Sequence, residues 1–548
     1  MAKNLIYLEE ILRDVQKKIS PILLRTQQIS GMLGTREQKL REMRLRLASN
    51  ARISYDCSND TKDKELKRLN STLKSKKLSY MQKFSMKAHI KSQATLMTLF
   101  KEFKMLSNIS LSFYLGLMEP EKGLKNKHLL FRDLPFLTEL QLNFPAVMLK
   151  GRYEDDQDLL WGLRFLRLLT KLNLTFTSWK QTQKNLVKTL FGSLRKLKSL
   201  SELGLSFFLT KENHKQEIEC LAHELKDLNY LTVLYLEFKS CNVFDEENLE
   251  CLSQTLRNFK KLSSLAISYK GCRKISSTAI IHILPALEEM KNLSELKLVF
   301  ADASDDFDKE PKEISFQNKF NSLSKLKSLN LHLSYSLFIT DEVLKSLASN
   351  VQCLPSLTDL SLAFESCPKI TNQGLFDICE GLKNISLLSL DLNFMGSSQI
   401  TSEGFFILME TIKKLKSLSK LHFHFNTENE LSDNCMEKLS VILMSLPDLS
   451  NFSLRVNCSN KISNEGIKEL CEGLKHLKHL AILNLNFDYS SLISIQGIKC
   501  ISALLPQLFS LQKMNLSCFS AGKVDRKIAY EEIIPVLEKL KIKYEISF

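Results

Sequence analysis

Glycine and proline are scarce in this chain. Its 548 residues hold 17 glycines and 11 prolines, well under the roughly 7% and 5% of average usage. That excludes collagen-like and Pro/Gly-rich low-complexity classes, and it argues against a body built from many tight turns. No run of 18 apolar residues occurs, so no transmembrane helix is expected. The thirteen cysteines include no C-x-x-C pair. The opening MAKNLIYLEEILRDVQ has no apolar h-region, and its Glu9, Glu10 and Asp14 argue against a mitochondrial presequence. Reduced, mostly buried thiols in the cytoplasm, with the nucleus as the other compartment, are therefore expected. Phosphate-binding, dinucleotide, kinase, zinc-protease and EF-hand motifs are all missing from the sequence. No cofactor and no enzymatic activity are expected.

Charge is plentiful but uneven. Residues 1–100 hold 21 Lys and Arg against 9 Asp and Glu, so twelve of the net +15 sit there and the other 448 residues carry +3. A basic head and a nearly neutral body imply two different roles.

The body is periodic. The phrase L-x-x-L-x-L-x-F appears as LTELQLNF from Leu137, LTKLNLTF from Leu169, LTVLYLEF from Leu231, LTDLSLAF from Leu357 and LAILNLNF from Leu480. Counting weaker copies, fifteen starts run from Leu106 to Lys541 at intervals of about 31 residues. Each copy alternates apolar and polar residues, as a strand with one buried face does. Between copies, segments such as ITNQGLFDICEGLKNIS from Ile370 place apolar residues at helical spacing. Thr340, Thr371, Thr401, Ser432, Ser463 and Ser494 stand one residue ahead of the run, where a hydroxyl caps free N–H groups. The repeat thus predicts a short strand, a loop and a helix of about three turns.

With these motifs the chain resembles leucine-rich-repeat proteins of the ribonuclease-inhibitor-like type, in the long-repeat style of protist and ciliate chains. The resemblance covers residues 88–548. It implies an α/β solenoid of about fifteen repeats: a curved horseshoe with a parallel sheet on its concave face and helices on its convex face. It also implies a protein-binding scaffold inside a larger complex. Residues 88–136 do not read as an F-box. The chain departs from the family where Asn or Cys is usual, because an aromatic stands two residues after the third Leu. Phe fills that position in eleven copies, and Tyr269 makes a twelfth. A stacked aromatic spine is expected there, each ring contributing roughly 1.5–3 kcal/mol by burial. Cys241, Cys272 and Cys367 fall later than the family's cysteine does.

Two regions are candidate sites. Concave positions between the strand leucines include Tyr235, Lys297, Asn330, Asp391 and His422, with Arg455 nearby. One aromatic and one nearby Arg make a thin set of anchors for a protein partner. A broad docking surface and a solvated sheet face are both consistent with this. Asp391, His422 and Ser453 share equivalent places on adjacent strands, but no nucleophile turn or oxyanion helix accompanies them. His332 lies three repeats from His424, too far for shared metal ligation.

Residues 1–87 form the second region, expected to be a helical segment. Helices are expected over residues 4–20, Thr35–Ala51 and Lys62–Phe84, with a loop at 50–61. Such a segment would cap the first repeat. Its cationic clusters, Arg36, Lys39, Arg41, Arg44 and Arg46, then Lys74, Lys76 and Lys77, suit an acidic partner or nucleic-acid phosphates. The main expectation is a non-enzymatic scaffold. The alternative is a nucleic-acid-associated or ribonucleoprotein component held by the head.

Overall fold

One apolar–polar alternation recurs along the chain, and each time it forms a strand. In the computed structural model, the residues described are 52–57, 83–88, 108–113, 131–132, 134–144, 160–179, 184–209, 215–241, 246–272, 279–301, 314–426, 431–521 and 524–548. The strands are β1 Arg52–Cys57, β2 Lys83–Ala88, β3 Asn108–Phe113, β4 Glu139–Phe144, β5 Lys171–Trp179 and β6 Glu202–Leu209. Next come β7 Val233–Lys239, β8 Ser264–Lys270, β9 Glu295–Ala301, β10 Ser328–Leu333, β11 Asp359–Ala363 and β12 Ser389–Asn393. The last are β13 Lys420–Asn426, β14 Asn451–Asn457, β15 Ile482–Asn486, β16 Lys513–Ser517 and β17 Lys543–Ser547.

Each strand pairs in parallel with the next in chain order, and equivalent residues face one another. Leu296 aligns with Leu329, then Leu360, Leu390 and Leu421. These leucines are at most 2% exposed.

Eleven described helices follow strands. They are α1 Lys184–Leu194, α2 Lys215–Leu225, α3 Glu246–Leu256, α4 Ile280–Leu287, α5 Asp341–Gln352 and α6 Asn372–Leu382. The rest are α7 Ser402–Ile412, α8 Asp433–Met444, α9 Asn464–Leu474, α10 Ile495–Leu504 and α11 Arg526–Lys539. Their apolar faces, such as Leu375, Ile378, Cys379 and Leu382 on α6, join the strand leucines in one continuous core. Helices are roughly 8–10 Å apart when packed and strands about 4.8 Å, so a helix layer on one face bends the sheet away from it. The molecule is an open leucine-rich-repeat solenoid with the sheet on its inner face.

All fifteen expected strands are present as β3 to β17. Two more precede them, which corrects the expected head. The segment read as a loop at 50–61 contains β1, and β2 takes the last two residues of the helix read over Lys62–Phe84. The reason is legible afterwards. Ile53, Tyr55 and Cys57, then Phe84, Met86 and Ala88, alternate as strands do, but neither copy keeps the leading leucine. The expected helices at 4–20, 35–51 and 62–82 lie outside the described residues. A second difference falls between β9 and β10, where residues 314–327 form turns and no helix. There Asn350 Oδ1 and Ser346 Oγ of α5 accept the backbone N–H groups of Phe320 and Phe316, partners the segment needs in the absence of helical bonds.

The aromatic spine forms in two runs. Phe176, Phe207, Phe238, Tyr269 and Phe300 stack with centroids 5.2–5.6 Å apart. Phe364, Phe394 and Phe425 form the second run at 5.7 and 6.4 Å. Leu333 and Val456 occupy the spine position where the stack breaks.

Three residues beyond the spine runs a buried ladder of thiols and hydroxyls. Cys272 Sγ donates to the Phe238 carbonyl at 3.4 Å, Cys367 Sγ to Leu333 at 3.3 Å and Ser397 Oγ to Phe364 at 2.9 Å. The same atoms accept from one repeat back, Cys241 N–H to Cys272 Sγ and Cys367 N–H to Ser397 Oγ. This ladder ties successive repeats together by hydrogen bonds. The residue before each ladder position takes positive φ, as at Ser240, Gly271, Tyr335, Ser366 and Gly396.

Candidate functional site

The inner face is positioned by register alone. Because strands pair without offset, Tyr235, Ala266, Lys297, Asn330, Ser361, Asp391, His422 and Ser453 form one row across β7 to β14. Five of the expected docking residues therefore share a row, and Arg455 sits in the next one beside His424. The expected cationic set of Arg36, Lys39, Arg41, Arg44, Arg46, Lys74, Lys76 and Lys77 lies outside the described residues.

At one end of the row, Tyr235 and Asn173 close over Gly204. A Cβ on Gly204 would meet Asn173 Oδ1 at 2.2 Å and Tyr235 Cδ1 at 3.7 Å. Burial, with the Glu237 carboxylate beside it, pushes the Tyr235 phenol up to about 12. Tyr235 is therefore neutral and half-buried, an anchor lying against the sheet.

The row's centre is a compact polar cluster. Asp391 Oδ2 accepts from Ser361 Oγ at 3.1 Å, and its Oδ1 lies 3.8 Å from His424 Nε2. Burial lowers the pKa of both His422 and His424, against the attraction of Asp391, and nearby Lys420 or Arg455 lowers them further. Desolvation is the larger effect at both rings and outweighs the carboxylate. The imidazoles are therefore neutral near pH 7.

A hydrolytic relay needs Asp391 bonded to His422 and His422 to Ser453. Among the described residues neither bond forms, and Asp391 turns to Ser361 instead. No group of three or more His, Cys, Asp or Glu among the described residues is arranged to hold a metal ion. No described helix is long and apolar enough to cross a membrane.

Beyond the cluster, β14 to β17 floor a groove of about 370 Å³ lined by Arg455, Asn484, Asn486, Asn515 and Ser517 among others. Asn515 Nδ2 donates to Asn484 Oδ1 at 2.8 Å. The Arg455 guanidinium makes no hydrogen bond or ion pair among the described residues, leaving it able to take a carboxylate. In the loops that follow β15 and β16, Tyr489 and Phe519 meet edge-on at 5.8 Å, and Arg526 lies over the Phe519 ring. Both aromatics are exposed, at 53% and 41%. Sequence reasoning passed over this pair. The available signal was an aromatic, Tyr489, at the positive-φ loop position, with Phe519 one residue ahead of that position in the next repeat.

No protein-family profile matches the chain, and no curated protein matches it. Solved structures do match, among them one described as the crystal structure of the Rad7 and Elc1 complex in yeast, which aligns with a TM-score of 0.42 and 15% identity, covering 93% of this chain and 94% of that chain.

Proposed function

We propose that the protein is a non-enzymatic scaffold that binds another protein on its inner face. The observation carrying this reading is the row from Tyr235 to Ser453, which ends beside the groove holding an unpaired Arg455. A rigid sheet presents these groups at fixed spacing with little ordering cost on binding, which favours affinity. Tyr235 and Arg455 are residue types enriched in binding hot spots. Asparagine amides offer both a donor and an acceptor to an extended chain. We place the chain with the ribonuclease-inhibitor-like type, a reading supported by its helices of 8 to 14 residues between successive strands.

A photo-crosslinking amino acid at Ser453 tests this against one at Val441, which is 50% exposed on α8 of the outer face. Discrete adducts from Ser453 alone are expected. Adducts from Val441 alone would move the docking surface to the helices. Deleting residues 1–87 is a poor alternative experiment, because it cuts through β2.

A second reading is that residues 1–100, with their net +12, hold nucleic acid. Such binding should fall steeply between about 50 and 200 mM salt. Salt-independent binding would exclude it.

A further inference from the structure

The turns that lead into the strands carry a charge that the rest of the body lacks. The thirteen six-residue stretches ahead of β5 to β17, from 163–168 to 535–540, each a helix end or a turn, hold 18 Lys and Arg against 5 Asp and Glu. All of residues 101–548 carry only +3, so everything outside those turns sums to −10. Because the strands are parallel and paired without offset, every one of these turns lies on the same edge of the solenoid. Side-chain hydrogen bonds tie neighbouring strand entries together just after these stretches. Thr170, Ser201, Thr232 and Ser263 each bond the carbonyl one repeat back at 3.0–3.2 Å. The cations are thus held on a fixed line.

Some of them are internally neutralised, as Arg195 is by Glu224 and Asp227. Others are exposed and make no ion pair among the described residues, including Lys196, Lys198, Lys261, Lys413 and Lys414. The same edge exposes apolar side chains that serve no internal purpose. Phe509 is 90% exposed, Phe136 48% and Leu168 47%. Leu168 follows Arg167 directly, and Phe509 sits one repeat from Lys478.

We propose that this edge docks on an anionic lipid surface. A polyanion is indicated by the charge, and two features favour lipid over nucleic acid. The exposed side chains include leucine, which inserts among acyl chains and cannot stack on a base. The groups lie along an edge rather than in a groove that would enclose a strand. Attachment combines two signals, a basic strip drawn to the negative leaflet and apolar tips that enter the headgroup boundary. This inference is independent of the inner-face reading, since the edge and the inner face use different residues.

Flotation of the full chain with vesicles tests it. Phosphatidylcholine vesicles with about 30% phosphatidylserine should recover the protein at least about tenfold better than phosphatidylcholine alone. Changing Lys196, Lys198, Lys261, Lys413, Lys414 and Lys416 together to Gln should lower recovery by about tenfold or more at unchanged thermal stability. Phe509→Ser should lower it about threefold with no change in charge, whereas Tyr489→Ser on the opposite edge should leave it unchanged. Equal recovery on both vesicle types overturns the proposal. So does recovery that survives the six-lysine change, which would put binding in residues 1–100. Tighter binding of duplex DNA or RNA, lost in the lysine variant and untouched by Phe509→Ser, overturns it in favour of nucleic acid. If the lysine variant loses its fold, the Phe509→Ser and Tyr489→Ser pair still decides the matter.

Discussion

Residues in left-handed backbone and the buried imidazoles each carry a measurable share of stability. Gly396 has φ +74°, and a Cβ there would meet Ser366 Oγ at 2.6 Å. Gly396→Ala should therefore cost about 1–2 kcal/mol from backbone strain and crowding, read as a lower urea midpoint with an unchanged slope. Ser366, in the same turn one repeat earlier, already sits at φ 53°, so Ser366→Gly is expected to be neutral or stabilising. His422 and His424 give a pH dependence whose sign follows from burial. Their folded pKa values lie below the ordinary 6.5, so below about pH 6.5 the unfolded chain binds protons that the folded chain resists. Their contribution is present above that pH and is lost as pH falls toward the folded values. Denaturation at pH 7.5 and 5.0 should show a smaller difference in His422→Gln/His424→Gln than in the parent.

Helices are joined to one another by side chains at their first turns. The expected caps Thr340, Thr371, Thr401, Ser432, Ser463 and Ser494 all stand at N-cap positions with extended backbone. Only Thr371, Ser463 and Ser494 bond their own helix. The first helical residue instead reaches to the next repeat. Asp433 accepts from Ser463 N–H and Oγ at 2.8 and 2.7 Å, and Asn464 Oδ1 accepts from the N–H groups of Ser494 and Gly497 at 3.0 Å. Glycines three residues after the cap, as at Gly374, Gly404, Gly466 and Gly497, leave room for that side chain, since a Cβ on Gly466 would meet Asp433 Oδ1 at 2.2 Å. Asp433→Ala should cost about 1–2 kcal/mol by orphaning those donors, and Asp433→Asn should recover part of the loss. Thermal melts of the two variants check this.

The strands β3 to β17 were legible in the sequence because Leu and Phe recur at fixed positions, and the inner-face row followed from register. The thiol and hydroxyl ladder was not, because Cys, Ser and Ala alternate at its positions. Nor was the partner of Asp391 legible. Its bond to Ser361 depends on side-chain direction, which periodicity does not determine. The strands β1 and β2 escaped notice for lack of a leading leucine.

Across the whole molecule, each repeat touches only its neighbours, so stability is close to a sum of local terms and junction terms. Phe238 has a stacked ring on either side and is 1% exposed. Phe238→Ala should cost about 3–5 kcal/mol, and the loss should stay local. Hydrogen exchange should speed up in β6 to β8 while the amides of β12 to β15 keep their protection. Uniform acceleration across both blocks would show a single cooperative unit instead.

The junction of β9 and β10 is the exception to this regularity. Phe300 there faces Leu333 in place of another ring, and turns at 314–327 stand in for helical packing on the outer side. Under mechanical load along the arc, this is where rupture would begin. The two blocks on either side would separate before either one unravelled, giving an otherwise stiff spring one built-in point of yield.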